Sequence, residues 1–343
     1  MQAVMLAGGQ STRLRPITNS MPKLLVPVVN KPIAEHVIEK IRESGLKQCV
    51  FTLHYMADQI IKHFGDGSKF GIEIVYKREE KPLGTAGSVK NIEEYLDDVF
   101  VVTSGDILFD YNLKSVIDAH LKLGRKATIV LSEVEDVSHF GVVETDPEGK
   151  IIRFVEKPNP SKVKSRLVNA GLYVLNKSVL KLIEKDEKTD FSLDVFPKLV
   201  QEGELYGFHA NGFWYDIGTF NGLLKAQRDV LNGKTKIRIP GKEMDNAVYV
   251  GEDVVIEDLE KISGPAVIGD HSKMGSGTTV RYATIGRNSV VNRRAAVIES
   301  VLMDEVNVGA NSVLAGVVLG NRCRVSEARS VIGPVGYAEG SLI

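Results

Sequence analysis

The sequence predicts an α/β protein in which a mostly parallel sheet, covered by helices, is followed by a parallel β-helix. Over the first two thirds of the 343 residues, short β-branched runs alternate with amphipathic helical patterns. Beyond residue 232 a hexapeptide period replaces them, and the long helical patterns stop. The chain is also longer than the roughly 250 to 300 residues at which single cores stop growing. Two domains are therefore expected.

The first part of the chain repeats the order strand, helix, strand, which favours a parallel sheet covered on both faces. A turn at Asp146-Pro147-Glu148-Gly149 joins two apolar runs into an antiparallel hairpin, so the sheet is expected to be mixed. The strands are predicted at residues 3–6, 49–53, 72–76, 99–103, 141–144, 151–155 and 168–175. The helices are predicted at residues 33–44, 57–63, 87–96, 113–123, 193–201 and 220–231.

The second part of the chain carries aliphatic residues at spacings of six, six and five, so the same face returns every 17 residues. A hexapeptide period is typical of a parallel β-helix with three short strands per coil and the aliphatic side chains stacked inside. Irregular hairpins that share this spacing are the alternative, and the length of the series argues against them. The positions in phase are Val250, Ile256, Ile262, Ile268, Met274, Val280, Ile285, Val291, Val297, Leu302, Val308, Leu314, Leu319, Val325 and Val331.

These patterns place a first domain at residues 1–232, a linker at 233–249 and the β-helix at 250–343. Each coil leaves an open edge until the next coil covers it, so the last turn, near Ile332-Gly333-Pro334, needs a cap or a partner subunit. The sequence therefore predicts a homo-oligomer that assembles through the β-helix.

Composition excludes several functional classes. Lys plus Arg numbers 43 against 44 for Asp plus Glu, and no basic block stands out, so we expect no nucleic-acid partner. No apolar run approaches the roughly 18 residues of a membrane span, and no basic segment precedes the first strand, so neither a membrane partner nor a signal peptide is expected. Cys49 and Cys323 cannot form a disulfide framework or a zinc site. These observations predict a cytoplasmic protein.

A glycine-rich loop follows the first strand. Gly8 and Gly9 allow the backbone to approach a ligand closely and to present N–H groups to phosphate, although a plain tight turn would also explain them. Arg13, Arg15 and Lys23 lie within roughly ten residues of this loop. Such cations suit a triphosphate, and solvated surface charge is the alternative.

Further motifs follow this glycine-rich loop along the whole first part of the chain. They are Leu6-Ala7-Gly8-Gly9, Thr12-Arg13-Leu14, Pro22-Lys23, Asn30-Lys31-Pro32, Leu83-Gly84-Thr85-Ala86-Gly87, Ser104-Gly105-Asp106, Phe140-Gly141-Val142-Val143, Glu156-Lys157-Pro158, Asn169-Ala170-Gly171-Leu172-Tyr173 and Trp214-Tyr215-Asp216-Ile217-Gly218-Thr219. Together they resemble the motifs of sugar-1-phosphate nucleotidylyltransferases, which join an NTP to a sugar 1-phosphate and release pyrophosphate. The resemblance implies a Rossmann-like nucleotidyltransferase domain followed by a left-handed β-helix.

The resemblance also implies roles for individual residues. Arg13 and Lys23 would neutralise the departing phosphates, and Asp106 and Asp216 would hold Mg²⁺. Asp106 follows a predicted strand, at the sheet edge where open parallel sheets bind ligands. The alternative for Asp216 is an N-cap of the helix near Phe220. The implied nucleotide-binding residues are Leu6, Ala7, Gly8, Gly9, Thr12, Gly84 and Thr85, with Gly84 against the base, and the implied sugar-phosphate residues are Gly141, Glu156, Lys157 and Asn169.

Two of these motifs carry open points. Ser11 stands where the family usually has glycine, which leaves the geometry of the loop open. Glu156-Lys157-Pro158 alone is a weak motif, and an ordinary surface ion pair would also explain it.

The chemistry requires no covalent enzyme intermediate, because a sugar 1-phosphate oxygen is already a charged nucleophile. The motifs resemble mannose-1-phosphate guanylyltransferases more than thymidylyl enzymes, so we expect GTP and mannose 1-phosphate as substrates. Glucose 1-phosphate with UTP or dTTP is the alternative. A bifunctional enzyme with acetyltransferase activity and a non-catalytic regulatory homologue are further alternatives. His271 is the one histidine of the repeat, and a solvated loop residue is its simpler interpretation.

Overall fold

The computed structural model describes residues 1–343, with the side chain of Lys261 excepted. The chain divides into two compact units. The first unit comprises residues 1–9 and 37–214 and contains the large sheet; the second comprises residues 10–36 and 215–343 and contains the β-helix.

Strands and helices alternate over residues 31–104, as the sequence predicts, and four strands follow one another over residues 127–176. In chain order, the strands and helices up to residue 231 are β1 (Ala3–Ala7), β2 (Pro27–Val28), β3 (Lys31–Pro32), α1 (Ile33–Glu43), β4 (Gln48–Leu53), α2 (Ala57–Phe64), β5 (Glu73–Arg78), α3 (Gly84–Lys90), β6 (Val99–Ser104), β7 (Ile107–Phe109), α4 (Leu113–Leu123), β8 (Ala127–Glu133), β9 (Gly141–Thr145), β10 (Ile151–Glu156), β11 (Leu167–Asn176), α5 (Phe196–Glu202), β12 (Leu205–His209), β13 (Trp214–Asp216) and α6 (Phe220–Leu231). Short 3₁₀ turns occur at Thr12–Leu14, Ile17–Asn19, Lys23–Leu25, Ser68–Phe70, Glu93–Tyr95, Pro160–Lys162 and Lys177–Leu182.

The large sheet has the order β10-β9-β11-β6-β1-β4-β5, with β8 beside β11 and β12 beside β8. Strand β1 is central and parallel to both neighbours, with Ala3 opposite Cys49 in β4 and Val101 in β6. Strand β11 pairs antiparallel with β6, and the hairpin β9–β10 completes that side. The strands are buried because helices cover both faces, and the predicted mixed sheet is confirmed.

Two helices differ from the prediction. Where residues 87–96 were predicted as one helix, α3 begins at Gly84, because the carbonyl of Thr189 accepts hydrogen bonds from the backbone N–H groups of Ala86 and Gly87. That carbonyl comes from a distant segment, which a local pattern does not reveal. Near residue 193 the chain forms a π-helical turn, Phe191–Val195, before α5. Pro197 explains the irregular start, because it has no N–H for a regular helical bond.

The second part of the chain folds into the predicted left-handed β-helix. Its strands are β14 (Lys242–Glu243), β15 (Val248–Val250), β16 (Val255–Ile256), β17 (Ala266–Ile268), β18 (Lys273–Met274), β19 (Thr279–Arg281), β20 (Ala283–Ile285), β21 (Val290–Val291), β22 (Ala296–Ile298), β23 (Val301–Leu302), β24 (Asn307–Val308), β25 (Val313–Leu319), β26 (Arg324–Val325) and β27 (Ser330–Tyr337), with 3₁₀ turns at Asp245–Ala247 and Leu259–Lys261. The 17-residue period is confirmed, because Ile268, Ile285, Leu302 and Leu319 are register partners and fully buried.

Small buried residues hold successive coils together. The Ser272 hydroxyl donates to the carbonyl of Gly286 at 2.8 Å and accepts from the N–H of Ser289 at 3.1 Å. Ser289 repeats the pattern one coil later, accepting from the N–H of Val306 at 3.1 Å. The ladder satisfies buried backbone groups at a corner where strands cannot pair.

Two segments of the predicted first domain pack in the compact unit of the β-helix. The side chain of Asn30, in the β2–β3 hairpin, donates to the carbonyl of Ile285 at 2.6 Å. Gln227, on α6, donates to the carbonyl of Ser300 at 3.2 Å and accepts from the N–H of Val29 at 3.5 Å. The compact units therefore divide at other points than the change of pattern near residue 233. The domain boundaries predicted at residues 232 and 249 therefore mark a change of sequence pattern and stay a prediction.

The open end of the β-helix is partly covered by the chain itself. Strand β26 donates from Arg324 and Ser326 to the carbonyls of Ser341 and Ile343, both at 2.8 Å. In the described part of the chain, no helix has the length and apolar character required to cross a membrane.

Candidate active site

The loop after β1 keeps a tight turn although serine stands in place of glycine. Ser11 adopts a left-handed conformation, with φ 48° and ψ 53°, which glycine adopts without steric cost. The hydroxyl of Thr18 donates to the carbonyl of Ser11 at 2.8 Å and supports this turn. Thr12 and Arg13 follow directly in the 3₁₀ turn Thr12–Leu14. The departure from the family motif therefore leaves a glycine-like backbone conformation in place.

Two predicted phosphate-binding cations face one predicted metal ligand. Lys23 Nζ lies 3.5 Å from Asp216 Oδ1, and Arg13 Nη2 lies 3.5 Å from Asp216 Oδ2. Lys23 is only 4% exposed, whereas the Arg13 side chain is 57% exposed. The three groups carry a net positive charge, so they favour an anion. Burial of the Lys23 ammonium strengthens that preference, because the local dielectric constant is low.

A glycine makes room for this cluster. A Cβ added to Gly218 would lie 2.7 Å from Arg13 Nη2 and 2.9 Å from Asp216 Oδ2. Any side chain at this position would therefore displace the guanidinium or the carboxylate. The requirement explains why the motif has glycine two residues after the aspartate.

The helix-cap alternative for Asp216 is wrong. The N-cap of α6 is Thr219, whose hydroxyl accepts from the backbone N–H of Gly222 at 3.1 Å. Asp216 ends β13 and directs its carboxylate to the two cations. The residue is therefore available for a chemical role.

Tyr215, the residue before Asp216, is held by the buried carboxylate of Asp229, a contact that the sequence did not indicate. The Tyr215 hydroxyl donates to Asp229 Oδ2, and Lys234 Nζ lies 2.7 Å from Asp229 Oδ1. Burial opposes ionisation of Asp229, but the bonds from Lys234 and Tyr215 outweigh it and lower its pKa. Burial and Asp229 together raise the pKa of Tyr215. The network fixes β13 against the end of α6.

In the first compact unit, predicted residues meet at the carboxyl edge of the sheet. Leu6 is the register partner of Ser104, and the N–H of Gly105 donates to the carbonyl of Leu6 at 3.2 Å. Asp106 therefore lies beside the end of β1, where Ala7 leads into Gly8 and Gly9. The Ser104 hydroxyl donates to the Asp106 carboxylate. This edge is where parallel sheets bind ligands.

Glu79 was missed as a site residue and lies at the same edge. It follows β5, and a Cβ on Gly8 would lie 3.9 Å from Glu79 Oε2. Within the described residues, Glu79 Oε1 is buried without a hydrogen-bond partner. Burial raises the pKa of Glu79, against the opposing effect of the Ser88 hydroxyl and the Leu83 N–H. Its position five residues before Gly84 and three residues after the predicted strand 72–76 was the available signal.

The predicted base-binding glycine has a packing role as well. Gly84 has a φ of +73°, and a Cβ there would lie 2.5 Å from the carbonyl oxygen of Thr189. Thr85 donates to Asp190 Oδ2 at 2.8 Å and accepts from the N–H of Phe191 at 2.9 Å. The Thr85 hydroxyl already makes two hydrogen bonds within the protein. If Thr85 binds a nucleotide as predicted, we expect its backbone N–H to do so.

Three predicted sugar-phosphate residues converge at the end of the β9–β10 hairpin. A Cβ on Gly141 would lie 2.6 Å from the Phe154 ring and 2.8 Å from Glu156 Oε2, so glycine is required there. Burial raises the pKa of Glu156 against the effect of Lys157, whose Nζ is 3.7 Å away. Lys157 has a left-handed backbone, with φ 43°, which is uncommon outside glycine. The Lys157 side chain is exposed, so a surface ion pair still explains the contact, and the unusual backbone is the feature that sets this position apart.

The fourth of these residues, Asn169, is held on β11. Its Nδ2 donates to the Tyr173 hydroxyl at 3.0 Å and to Ser192 Oγ at 3.4 Å, while its Oδ1 accepts from the N–H of Gly171 at 2.9 Å. The strand bulges between Asn169 and Tyr173, where Gly171 has a φ of +72°. Bulges commonly redirect side chains near active sites.

The acidic residues can serve a magnesium–phosphate centre but not a protein-enclosed metal site. Among the described side chains, no three His, Cys, Asp or Glu residues are clustered as metal ligands. Mg²⁺ commonly binds one or two carboxylates together with substrate phosphates and water. The carboxylate of Asp216, beside two cations that the sequence predicts to bind phosphate, fits that mode.

Comparison with known proteins agrees with this chemistry. Residues 2–233 match the family described as nucleotidyl transferase, and residues 245–335 match the GlmU-like C-terminal hexapeptide family. A UTP–glucose-1-phosphate uridylyltransferase from Synechocystis is 35% identical, over 94% of this chain and 88% of the relative. A mannose-1-phosphate guanylyltransferase catalytic subunit beta from Drosophila melanogaster is also 35% identical, over 80% of this chain and 71% of the relative. A crystal structure of a putative glucose-1-phosphate thymidylyltransferase from Bacillus anthracis has a TM-score of 0.63 at 26% identity, covering 71% of this chain and 98% of that one.

Proposed function

Because this chain belongs to the nucleotidyl transferase family and carries a GlmU-like hexapeptide domain, we propose that it makes GDP-mannose and pyrophosphate from GTP and mannose 1-phosphate. It is a sugar-1-phosphate nucleotidyltransferase, and the choice of base and sugar is the proposal. The observation that carries the proposed mechanism is the cluster of Arg13, Lys23 and Asp216, two cations at 3.5 Å from one carboxylate.

The protein's contribution to the reaction is alignment and charge neutralisation. An oxygen of the sugar 1-phosphate forms a bond to the α-phosphorus of the NTP while the bond from that phosphorus to the β-phosphate oxygen breaks. The departing pyrophosphate keeps the electron pair, and Arg13 and Lys23 neutralise its growing charge. Gly8 and Gly9 leave the loop backbone open to the phosphates.

Asp106 and Asp216 are the proposed ligands of Mg²⁺, with Asp216 held by the cations described above. The ion, when bound, supplies positive charge to phosphate oxygens. Lys157, whose side chain is two-thirds exposed beside Glu156, is proposed to bind the phosphate of the sugar substrate. Glu156 and Asn169 are proposed to bind sugar hydroxyls. The convergence of Gly141, Glu156 and Lys157 at one hairpin end supports the assignment of this region to the sugar phosphate.

Glu79 supports guanine as the base. A carboxylate only accepts hydrogen bonds, and the pairing edge of guanine presents two adjacent donors, N1–H and N2–H₂. Uracil and thymine present a single N–H between two carbonyl oxygens, which a carboxylate repels. Glu79 Oε2 lies on the side of the glycine-rich loop, 3.9 Å from the position of a Cβ on Gly8, and is the oxygen proposed to accept from such a base. A site built to hydrogen-bond one base discriminates strongly against bases that leave its acceptor unpaired.

Pyrophosphate release tests the proposal directly. Four NTPs are each combined with mannose, glucose and N-acetylglucosamine 1-phosphates in the presence of Mg²⁺, and we expect the highest kcat/KM for GTP with mannose 1-phosphate. Glu79→Gln should lower the GTP-to-UTP preference at least tenfold, while Glu80→Gln, an exposed neighbour, should not change it. A preference for UTP or dTTP in the unmodified protein would overturn the substrate assignment. No release with any pair would favour the non-catalytic alternative.

The alternative of a second acyltransferase activity finds little support in the β-helix. His271 is a half-exposed corner residue, and its Nδ1 lies 3.4 Å from Asp253 Oδ2. Both side chains face solvent, so the pair has the character of a surface ion pair. No second function is proposed on it.

A further inference from the structure

A cavity of about 350 Å³ lies within the second compact unit, away from every residue assigned above. One wall is the outer face of α6, with Leu224, Lys225 and Arg228, and the other is the end of the β-helix, with Ile332 and Pro334 of β27. Its volume falls in the range of small-molecule sites, which combine apolar walls with a few charged groups.

The cavity exists because glycines replace side chains at one corner of the β-helix. The residues of this corner recur every 17 positions as Tyr282, Glu299, Gly316 and Gly333, all with positive φ. The earlier two carry side chains, whereas Gly316 and Gly333 do not, and both of these glycines line the cavity.

Packing does not require glycine at these two positions. A Cβ on Gly316 would meet no atom closer than the backbone of Gly333 at 3.6 Å, and one on Gly333 would meet none within 4 Å. Gly264, in an earlier coil, differs because a Cβ there would lie 1.9 Å from the carbonyl oxygen of Asn246. The recess is therefore open space that the sequence leaves unfilled.

The charges of the cavity favour an anion. Lys225 and Arg228 are three residues apart on α6 and so lie on one face. Arg228 pairs with Glu299 at 3.4 Å, but the two side chains are 44% and 48% exposed, so the pair is weak and can exchange for a stronger anion. Lys225 is exposed, and its ammonium faces the Tyr215 ring. A phosphate group satisfies both cations, while Leu224, Ile332 and Pro334 suit the organic part of a ligand.

The same lysine contacts the segment that carries Asp216. The ammonium of Lys225 lies 5.6 Å from the centre of the Tyr215 ring, at cation–π distance. Tyr215 directly precedes Asp216 and is bonded to Asp229 at the end of α6. A ligand that draws Lys225 into the cavity removes this contact and so alters the support of β13.

We propose that this cavity binds a phosphorylated small molecule, through Lys225 and Arg228, and that its occupancy changes the rate of nucleotidyl transfer. The second half of the statement rests on the proposed function. The ligand class is an organic phosphate, from either a nucleotide or a sugar phosphate, because both combine a phosphate with a less polar body.

Calorimetric titration of the full-length protein tests the binding, with AMP, glucose 6-phosphate and inorganic phosphate as probes. We expect AMP or glucose 6-phosphate to bind, and inorganic phosphate to bind at least tenfold more weakly because it lacks the organic part. Gly316→Asn should weaken binding at least tenfold by filling the recess, since asparagine tolerates the left-handed conformation. Gly277→Asn is the matched control: Gly277 also has a left-handed φ, of +71°, at a corner outside the cavity, and its substitution should leave binding unchanged.

A second variant and a rate measurement complete the test. Arg228→Gln should also weaken binding at least tenfold, while Arg287→Gln, which breaks a comparable surface pair with Asp304, should not. The bound probe should change kcat at least twofold in the unmodified protein and leave kcat of Gly316→Asn unchanged. Equal thermal midpoints of Gly316→Asn and Gly277→Asn would establish that the loss of binding is not a folding defect.

Several results would overturn the inference. These are the absence of binding by either organic phosphate, full binding by Gly316→Asn, and binding without any change in kcat. A change in molar mass on light scattering for Gly316→Asn, together with no probe binding, would assign the recess to a second copy of the chain instead. Calorimetry requires no turnover, so a protein that binds the probe but transfers no nucleotide would lose the proposed function and retain the binding site.

Discussion

The two parts of the molecule use the same unfavourable backbone conformation for different purposes. In the β-helix, left-handed residues recur every 17 positions, as His271, Asn288, Glu305 and Arg322 do at one corner. In the α/β part they follow no period, and Ser11 and Lys157 both lie in predicted ligand-binding motifs. A conformation that recurs with the repeat follows from the geometry of the coil. A conformation that occurs once, at a cost of about 1 to 3 kcal/mol, points to a local requirement.

The same contrast holds for buried groups. The β-helix interior is built of stacked aliphatic residues whose replacement would create a cavity. Buried Lys23 and Asp229, by contrast, are charged and contribute little apolar burial, yet they orient groups around Asp216. We therefore expect substitutions in the core of the β-helix to change stability and substitutions around Asp216 to change turnover.

The largest effect is expected at Asp216. Asp216→Asn keeps the shape but removes the charge that Lys23 and Arg13 face, and it weakens a ligand for a hard cation. We predict a fall in kcat of roughly 100- to 1000-fold, or about 3 to 4 kcal/mol. The thermal midpoint should not fall through loss of a helix cap, because Thr219 caps α6. Steady-state kinetics and thermal unfolding of one preparation measure both, and Asp118→Asn, an exposed helix residue, is the control. Near-normal turnover would remove Asp216 from the metal assignment.

Leu302 should show the opposite behaviour. It is fully buried between Ile285 and Leu319, so Leu302→Ala should lower the free energy of unfolding by about 3 kcal/mol through the cavity it creates. The kcat per folded molecule should remain within twofold. Urea unfolding and kinetics provide the two numbers, with the exposed Ile332 changed to alanine as the control. A loss of kcat without a loss of stability would contradict the division of roles.

Asp229→Asn should lower the free energy of unfolding by a smaller amount, and that amount should depend on pH. Its pKa is lowered in the folded protein by Lys234 and Tyr215, so its charge contributes stability above the unfolded pKa of about 3.9. That contribution is lost as the pH falls through the folded pKa. Asp229→Asn should therefore lower the free energy of unfolding by about 2 kcal/mol at pH 7, and the difference from the unmodified protein should shrink below pH 4. Urea unfolding at a series of pH values measures it; a difference independent of pH would show that the charge is not responsible.

The smallest effect tests the comparison of backbone conformations most closely. Ser11→Gly relieves an unfavourable φ but increases the entropy of the unfolded chain, so we expect a stabilisation of about 0.5 kcal/mol. Asn288→Gly should be neutral or slightly destabilising, because asparagine tolerates the left-handed region well. Chemical unfolding of the pair, measured side by side, distinguishes the two positions. A change in unfolding free energy of the same sign and size for both variants would mean that the left-handed conformation at Ser11 and that at Asn288 are equivalent.

The part of the fold that the sequence predicts best is the part that repeats. The period at Ile268, Ile285 and Leu302 places the same kind of residue in the same environment many times, so the β-helix can be recognised from spacing alone. The predicted strands of the large sheet were likewise confirmed. The start of α3 was missed because its cap is the carbonyl of Thr189, which lies about a hundred residues away in the sequence.

The candidate site could be predicted only where a residue belongs to a local motif. Arg13, Lys23 and Asp216 were identified in this way, but their mutual distances depend on the fold. Glu79 and Asp229 escaped notice because single acidic residues are common, and their burial and partners come from tertiary contacts. The glycines at 316 and 333 were part of the repeat, and only the structure reveals that nothing fills the space beside them.

In the proposed reaction the substrate's own phosphate attacks the nucleotide, and the protein only aligns the reacting groups and neutralises charge. Rapid-quench analysis with α-phosphate-labelled GTP tests it most directly. Mixed with Mg²⁺ and mannose 1-phosphate, the enzyme should transfer the label straight to GDP-mannose, with no labelled protein at any time and no pyrophosphate release before the sugar phosphate is added. Label on the protein, or a burst of pyrophosphate without mannose 1-phosphate, would contradict the account.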